Sequence, residues 1–219
     1  MNNSKIITID GPSGVGKGTL AKALAKYLNY NLLDSGAIYR LAALHCHKNN
    51  ADLENESQVQ KTLENLNISF KIEEDIVKAF LNDEDVTKEI RTEQTGMLAS
   101  KIAAYPSVRD ILLNKQREFA TEQGLVADGR DMGTVVFTDA KYKFFLDADT
   151  KVTARRRYDE LESKGLNPDF DKILADIEKR DFQDRNRKTA PLKPADDAII
   201  IDTSNLSIKE VFEAVTSKI

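Results

Sequence analysis

Ile6–Thr19 reads IITIDGPSGVGKGT, and this stretch decides the fold. An apolar run (Ile6, Ile7, Ile9) stops at Asp10. Glycines follow at positions 11, 14 and 16, then Lys17, Gly18, Thr19 and an amphipathic run. That order of buried strand, glycine-rich loop and helix N-terminus is what a phosphate-binding loop requires. Glycine leaves no Cβ to block convergence of successive backbone N–H groups on one anion. The helix start adds partial positive charge at the same place. The pattern G-x-x-x-x-G-K runs from Gly11 through Pro12, Ser13, Gly14, Val15 and Gly16 to Lys17. Gly18 then delays the expected hydroxyl to Thr19. The stretch implies a nucleoside triphosphate ligand, with Lys17 on the outer phosphates and Thr19 near a metal.

Outward from this loop, short apolar runs alternate with helical patterns, which predicts a parallel sheet covered by helices on both faces. Strands are expected at 5–10, 31–34, 124–128, 143–147 and 198–202. Asp10, Asp34, Asp128 and Asp147 close four of them. The C-terminal ends of such strands line the ligand crevice, so these carboxylates are candidate metal or hydroxyl contacts. Helices are expected at 17–28, 36–49, 93–104, 107–122, 150–163, 170–188 and 207–218. Two stretches break the alternation. Residues 67–90, NISFKIEEDIVKAFLNDEDVTKEI, alternate apolar and polar around an acidic turn and predict an inserted antiparallel hairpin. SKGLNPDF, 163–170, is a turn-rich break between two charged helices and predicts a flap.

The chain has 219 residues, 41% hydrophobic and 31% charged, as expected of one α/β domain with insertions. Thirty-two basic and 36 acidic residues give a net charge of −4, and nothing in that balance asks for nucleic acid or an anionic membrane. No apolar run approaches membrane-spanning length, and MNNSKIITID lacks a signal-peptide pattern. The one cysteine, Cys46, reads as a packing residue and fits a reducing compartment.

Arginine is unevenly distributed. Arg40 stands alone through residue 90; later come Arg109, Arg130 in ADGRDMGT, and clusters at 155–157 and at 180, 185 and 187. Arginine stays charged, and its planar fork matches phosphate oxygens. In RDFQDRNR the spacing puts Arg180, Asp184 and Arg187 on one helical face. In DSGAIYR, Asp34 or Ser35 caps a helix that carries Arg40 in its second turn.

GPSGVGKGT, LLDSGAIYR, EIRT, DGRDMGTVVF, FLDA, RDFQDRNR and APL, in that order, closely resemble the bacterial cytidylate kinases over nearly the whole chain. The resemblance implies an α/β P-loop NTPase-type three-layer fold with a five-stranded parallel sheet. The core would be 1–66 and 91–219, with a lid at about 156–171 and an inserted monophosphate-binding subdomain at 67–90. It implies transfer of the γ-phosphoryl of ATP to CMP or dCMP with Mg²⁺, in a cytoplasmic monomer with no nucleic-acid or membrane partner. By motif, Gly11–Thr19 would cradle ATP and Arg156 and Arg157 would cover it. Ser35, Arg40, Ser100, Arg109, Arg130, Asp131 and Asp184 would bind CMP. Lys17, Arg130, Asp131, Arg180, Asp184 and Arg187 would be catalytic. No direct metal ligand is assigned beyond Thr19 as a candidate, since Mg²⁺ would be held through ATP and water.

Other classes fit less well. A GTP-binding switch needs N-K-x-D, and Asn114-Lys115-Gln116-Arg117 lacks the aspartate. A nucleic-acid binder is disfavoured by the net charge and by the lack of interleaved aromatics. A kinase for UMP, AMP or a shikimate-like alcohol would keep loop and lid and change the acceptor pocket.

Overall fold

The computed structural model describes residues 5–73 and 76–219, apart from the side chain of residue 93. The chain divides into two compact units: residues up to Tyr30 together with Glu122–Ile219, and Asn31–Thr121.

The first unit carries β1 (Ile6–Asp10), α1 (Lys17–Leu28), and, after the second unit, β6 (Leu125–Gly129), β7 (Tyr142–Asp147), α6 (Thr150–Ser163), α7 (Phe170–Asn186), β8 (Ile199–Asp202) and α8 (Ile208–Thr216). The central sheet is five-stranded, and its strands in this unit lie in the order β6-β1-β7-β8. β1 pairs in parallel with both β6 and β7, in register Ile9 with Asp128 and Phe144. All five residues of β1 are buried. A strand covered on both faces has no polar side, so a continuous apolar run forms it. Leu20, Leu24 and Ala21 on α1 complete this core, each 3% exposed or less.

The second unit holds β2 (Asn31–Asp34), α2 (Ser35–Lys48), α3 (Glu56–Leu63), β3 (Ile68–Glu73), β4 (Ile76–Leu81), β5 (Glu84–Asp85), α4 (Glu93–Ile102) and α5 (Pro106–Glu118). The hairpin expected within 67–90 is present as β3 and β4, antiparallel, with Phe70 opposite Ala79. Its acidic turn at 74–75 lies outside the described residues. A third short strand, β5, follows Asn82 and Asp83, both with positive φ, which is the backbone a two-residue hairpin turn needs. Helix α3 falls where the sequence reading gave no element. Asn55 caps it by accepting from Gln58 N–H at 3.2 Å, and Val59 and Leu63 bury its apolar face. Cys46 is fully buried and its thiol is pushed up to about 11, as expected of a packing residue.

The expected turn 163–170 follows α6. Gly165 has φ 75, and Asp169 caps α7 by accepting from Lys172 N–H at 3.1 Å.

Candidate active site

The loop between β1 and α1 starts at a glycine for a steric reason. A Cβ at Gly11 would lie 2.1 Å from the carbonyl oxygen of Leu146. Gly14 and Gly16 have φ 80 and 92, where side chains other than glycine's are strained. Gly16 sits at the N-cap of α1 and no side chain caps the helix there. The first-turn N–H groups of a helix have no intrahelical partner, so this uncapped end has the donors and the partial charge to take an anion. Gly14, Gly16, Gly18 and Thr19 are exposed, whereas Val15 and Lys17 are buried. The Lys17 ammonium donates to the Pro12 carbonyl at 2.6 Å, inside the same loop.

Asp10, expected as a metal or hydroxyl contact, is occupied otherwise. Its two oxygens accept Met132 N–H and Gly133 N–H, each at 2.8 Å. Burial pushes its carboxyl up to about 6, against the two backbone hydrogen bonds, which lower it. This contact shapes the segment after β6. Over ADGRDMGT the structure runs β6 to Gly129 and then makes a π-helical turn, Met132–Val136. Asp131 C=O accepts from both Val135 N–H (2.9 Å) and Val136 N–H (3.2 Å). Met132 and Val136 are buried, so the wide turn is fixed by tertiary contacts as well as by Asp10. Of the other strand-end carboxylates, Asp34 caps α2 by accepting from Ala37 N–H at 2.9 Å, and Asp147 lies 3.4 Å from Arg185.

Arg130 extends between the phosphate loop and α7. Its Nε donates to Asp184 Oδ2 at 2.8 Å and its NH2 to the Ser13 hydroxyl at 2.8 Å. Arg187 stands 3.5 Å from Asp131 and 3.8 Å from Asp184. Its Nε donates to Ala190 C=O, and its buried NH2 makes no hydrogen bond with the described residues. The structure thus gathers Ser13, Arg130, Asp131, Asp184 and Arg187. Arg187 is the C-cap of α7: its φ of −66 is still helical and the chain turns off only after it (ψ 141), so it stays one turn from Asp184, while Arg180, a turn before Asp184, is exposed. One further residue joins the group. Asp181 accepts the Ser13 N–H at 3.1 Å, and burial raises its carboxyl above the ordinary value. Asp181 lies inside RDFQDRNR, but an aspartate one position after an arginine carries no spacing signal of its own.

Arg156 and Arg157 differ. The Arg156 guanidinium is spread over the carbonyls of Thr203, Ser204 and Leu206. Thr203 in turn donates to the phosphate-loop carbonyl of Val15 at 3.4 Å. Arg157 is exposed and pairs with Glu160 on its own helix at 2.7 Å.

Within the second unit, Ser35 is buried as the first residue of α2. Arg40 NH1 donates to the carbonyls of Ile90 (2.8 Å) and Thr92 (3.0 Å). Gly96 leaves room for it, because a Cβ there would be 2.9 Å from Arg40 NH2. Arg109 lies 5.9 Å from the centre of the Tyr39 ring. The Ser100 hydroxyl donates back to Gly96 C=O at 3.1 Å along α4.

Comparison with known proteins meets this geometry. The family model described as cytidylate kinase matches residues 7–219. A cytidylate kinase of Aliivibrio salmonicida is 54% identical over 209 residues, covering 95% of this chain and 93% of the relative. One of Pasteurella multocida is 51% identical over 219 residues, covering 100% and 96%. One of Vibrio cholerae is 52% identical over 212 residues, covering 97% and 94%. The chain belongs to the cytidylate kinase family.

Proposed function

We propose that this chain transfers the γ-phosphoryl group of ATP to CMP or dCMP, giving ADP and CDP or dCDP. The observation that carries the reading is the pair formed by an uncapped helix N-terminus at Gly16 and a cluster of arginines tied into the same loop through Ser13. Within that cluster, the buried Arg187 NH2 has the Asp131 carboxylate beside it at 3.5 Å and makes no hydrogen bond with the described residues. A phosphate oxygen would give it the charge-assisted hydrogen bond that the Asp131 contact is too long to supply.

The attacking group in this transfer is already a phosphate oxygen, so no strong general base is required. Positioning and charge neutralisation carry most of the catalysis. The loop amides from Gly14 to Thr19 and the Lys17 ammonium bind the donor phosphates. Arg130 and Arg187 hold the moving group and the acceptor phosphate, with Asp131 and Asp184 fixing their planes. Arg180, on the same helix as Asp184, acts with them. Ser35, Arg40, Ser100 and Arg109 belong to the same proposal as CMP contacts. Arg156 and Arg157 belong to it on the ATP side, and 67–90 as the monophosphate-binding insert of a core that carries a lid at about 156–171.

Mg²⁺ would enter with ATP. Among the described residues, no group of three or more His, Cys, Asp or Glu side chains gathers to hold a metal. Asp128 Oδ2 lies 3.4 Å from the Cβ position of Gly18, next to Thr19. A carboxylate, a hydroxyl, phosphates and water are the hard oxygen donors this cation takes, so Thr19 and Asp128 are the residues that would hold it. When bound, the ion neutralises phosphate charge.

No described helix is long and apolar enough to cross a membrane. With its one cysteine buried and unpaired, we take the enzyme as cytoplasmic; a monomer acting on small nucleotides without a nucleic-acid partner belongs to the same proposal.

The test is ATP-dependent turnover with CMP, dCMP, UMP, AMP and GMP, following ADP release. Strong turnover with CMP and dCMP alone is expected. Preference for another monophosphate would move the base-reading assignments, and ADP release independent of any acceptor would overturn the transferase reading.

A further inference from the structure

Ser13 is held at its N–H and at its hydroxyl by residues far away in the sequence. Its N–H donates to Asp181 Oδ1 at 3.1 Å, and its hydroxyl accepts from Arg130 NH2 at 2.8 Å. Its predecessor Pro12 has no N–H to offer, and the Pro12 carbonyl is taken by Lys17. The first half of the phosphate loop is therefore shaped by side chains, because no regular backbone ladder reaches it.

Asp181 is an expensive choice for that task. A carboxylate beside a triphosphate site opposes the ligand's charge. Burial also raises this one above the ordinary value, and Asp184 adds to the rise while Arg130 and Arg185 oppose it. A group retained against both effects needs a compensating role, and the one visible is the bond to Ser13 N–H. That bond fixes one loop amide on the protein, immediately ahead of the exposed glycines Gly14, Gly16 and Gly18.

We propose that Asp181 is a positioning residue for the donor nucleotide: its carboxylate anchors the Ser13 end of the phosphate loop on α7 and pre-sets the amides from Gly14 to Thr19 for the donor's phosphates. The inference rests on the proposed function only in taking the donor to be an adenine nucleotide.

The experiment compares wild type, Asp181→Ala, Asp181→Asn and the exposed α7 control Asp176→Ala in the full chain. ADP affinity is measured by calorimetry without any acceptor, and KM for ATP and for CMP from steady-state kinetics. Asp181→Ala is expected to weaken ADP binding and raise KM for ATP about tenfold, the effect of losing one charge-assisted hydrogen bond. KM for CMP is expected to stay within about twofold. Asp181→Asn keeps an amide oxygen for Ser13 N–H and is expected to recover most of the loss. It also serves as the folded variant if the alanine variant does not fold. Asp176→Ala is expected to match wild type. Wild-type ADP affinity in Asp181→Ala, an equal change in KM for CMP, or failure of Asp181→Asn to recover binding each overturns the proposal. If wild type binds ADP with these differences and yet does not phosphorylate CMP, the acceptor assignment fails and the anchor stands.

Discussion

Gly133 N–H donates to Asp10 Oδ2 at 2.8 Å, across 123 residues of chain. With the matching bond from Met132, the end of β1 holds the start of the turn that follows Arg130 and Asp131. The residue immediately before the phosphate loop thereby places the arginine that reaches back to that loop.

The same contact makes stability depend on pH. Burial pushes the Asp10 carboxyl from 3.8 up to about 6. Between those values the folded chain holds a proton that the unfolded chain has lost. This contribution is full below about pH 4 and is lost as pH rises through about 6. The separation of about two pH units is worth at most about 3 kcal/mol. Asp10→Asn should remove that slope. Urea unfolding of both proteins from about pH 4.5 to about 7.5 checks this. A constant difference between them across the range would take Asp10 out of the account.

Gly11→Ala and Gly16→Ala should fail in different ways. At Gly11 the new Cβ meets backbone at 2.1 Å, so β7 or the loop must move and stability should drop by about 3 kcal/mol or more. At Gly16 nothing lies within 4 Å, leaving only the strain of φ 92, about 1–2 kcal/mol. Thermal melting with ADP titration separates them. Gly16→Ala should keep the fold and lose nucleotide affinity.

Arg130→Lys replaces a fork that bonds Ser13 and Asp184 together with a single ammonium. Turnover should fall about hundredfold, the range seen when one preorganised transition-state donor is removed. Stability should change by less than about 1 kcal/mol, because the pair is partly solvated. An unchanged kcat would remove Arg130 from the reacting centre.

Arg156→Ala and Arg157→Ala divide the pair that the motif reading treats together. Arg156 serves three backbone carbonyls beside the residue that bonds Val15, so its loss should cost about 1–3 kcal/mol and weaken ATP binding. Arg157 has an exposed partner one helical turn away, and its loss should cost less than about 0.5 kcal/mol. A KM for ATP that rises only in Arg157→Ala would restore it as the ATP-covering residue.

The sequence by itself determined the phosphate loop, the alternation that makes a parallel sheet, and the family. Each rests on local spacing: glycines where the backbone turns left-handed or meets Leu146, apolar runs where a strand is buried on both faces, and motifs read in order. The helix Glu56–Leu63 was also written locally, in Asn55 and in Val59 with Leu63, but it is only about two turns long and those are its only two buried residues. Tertiary structure alone decided what the carboxylates do. Asp10 is identical in type to Asp128 and Asp147, and sequence places all three at strand ends. The backbone N–H groups that claim Asp10 arrive from more than 120 residues away. Arg187 is in helical register with Asp184, and what the spacing does not give is its second carboxylate, Asp131, which arrives from another element at 3.5 Å. Asp181 became visible only when α7 folded beside Ser13. Side-chain identity states what a group can bond. Which partner it meets depends on long-range contacts, and no spacing along the chain encodes them.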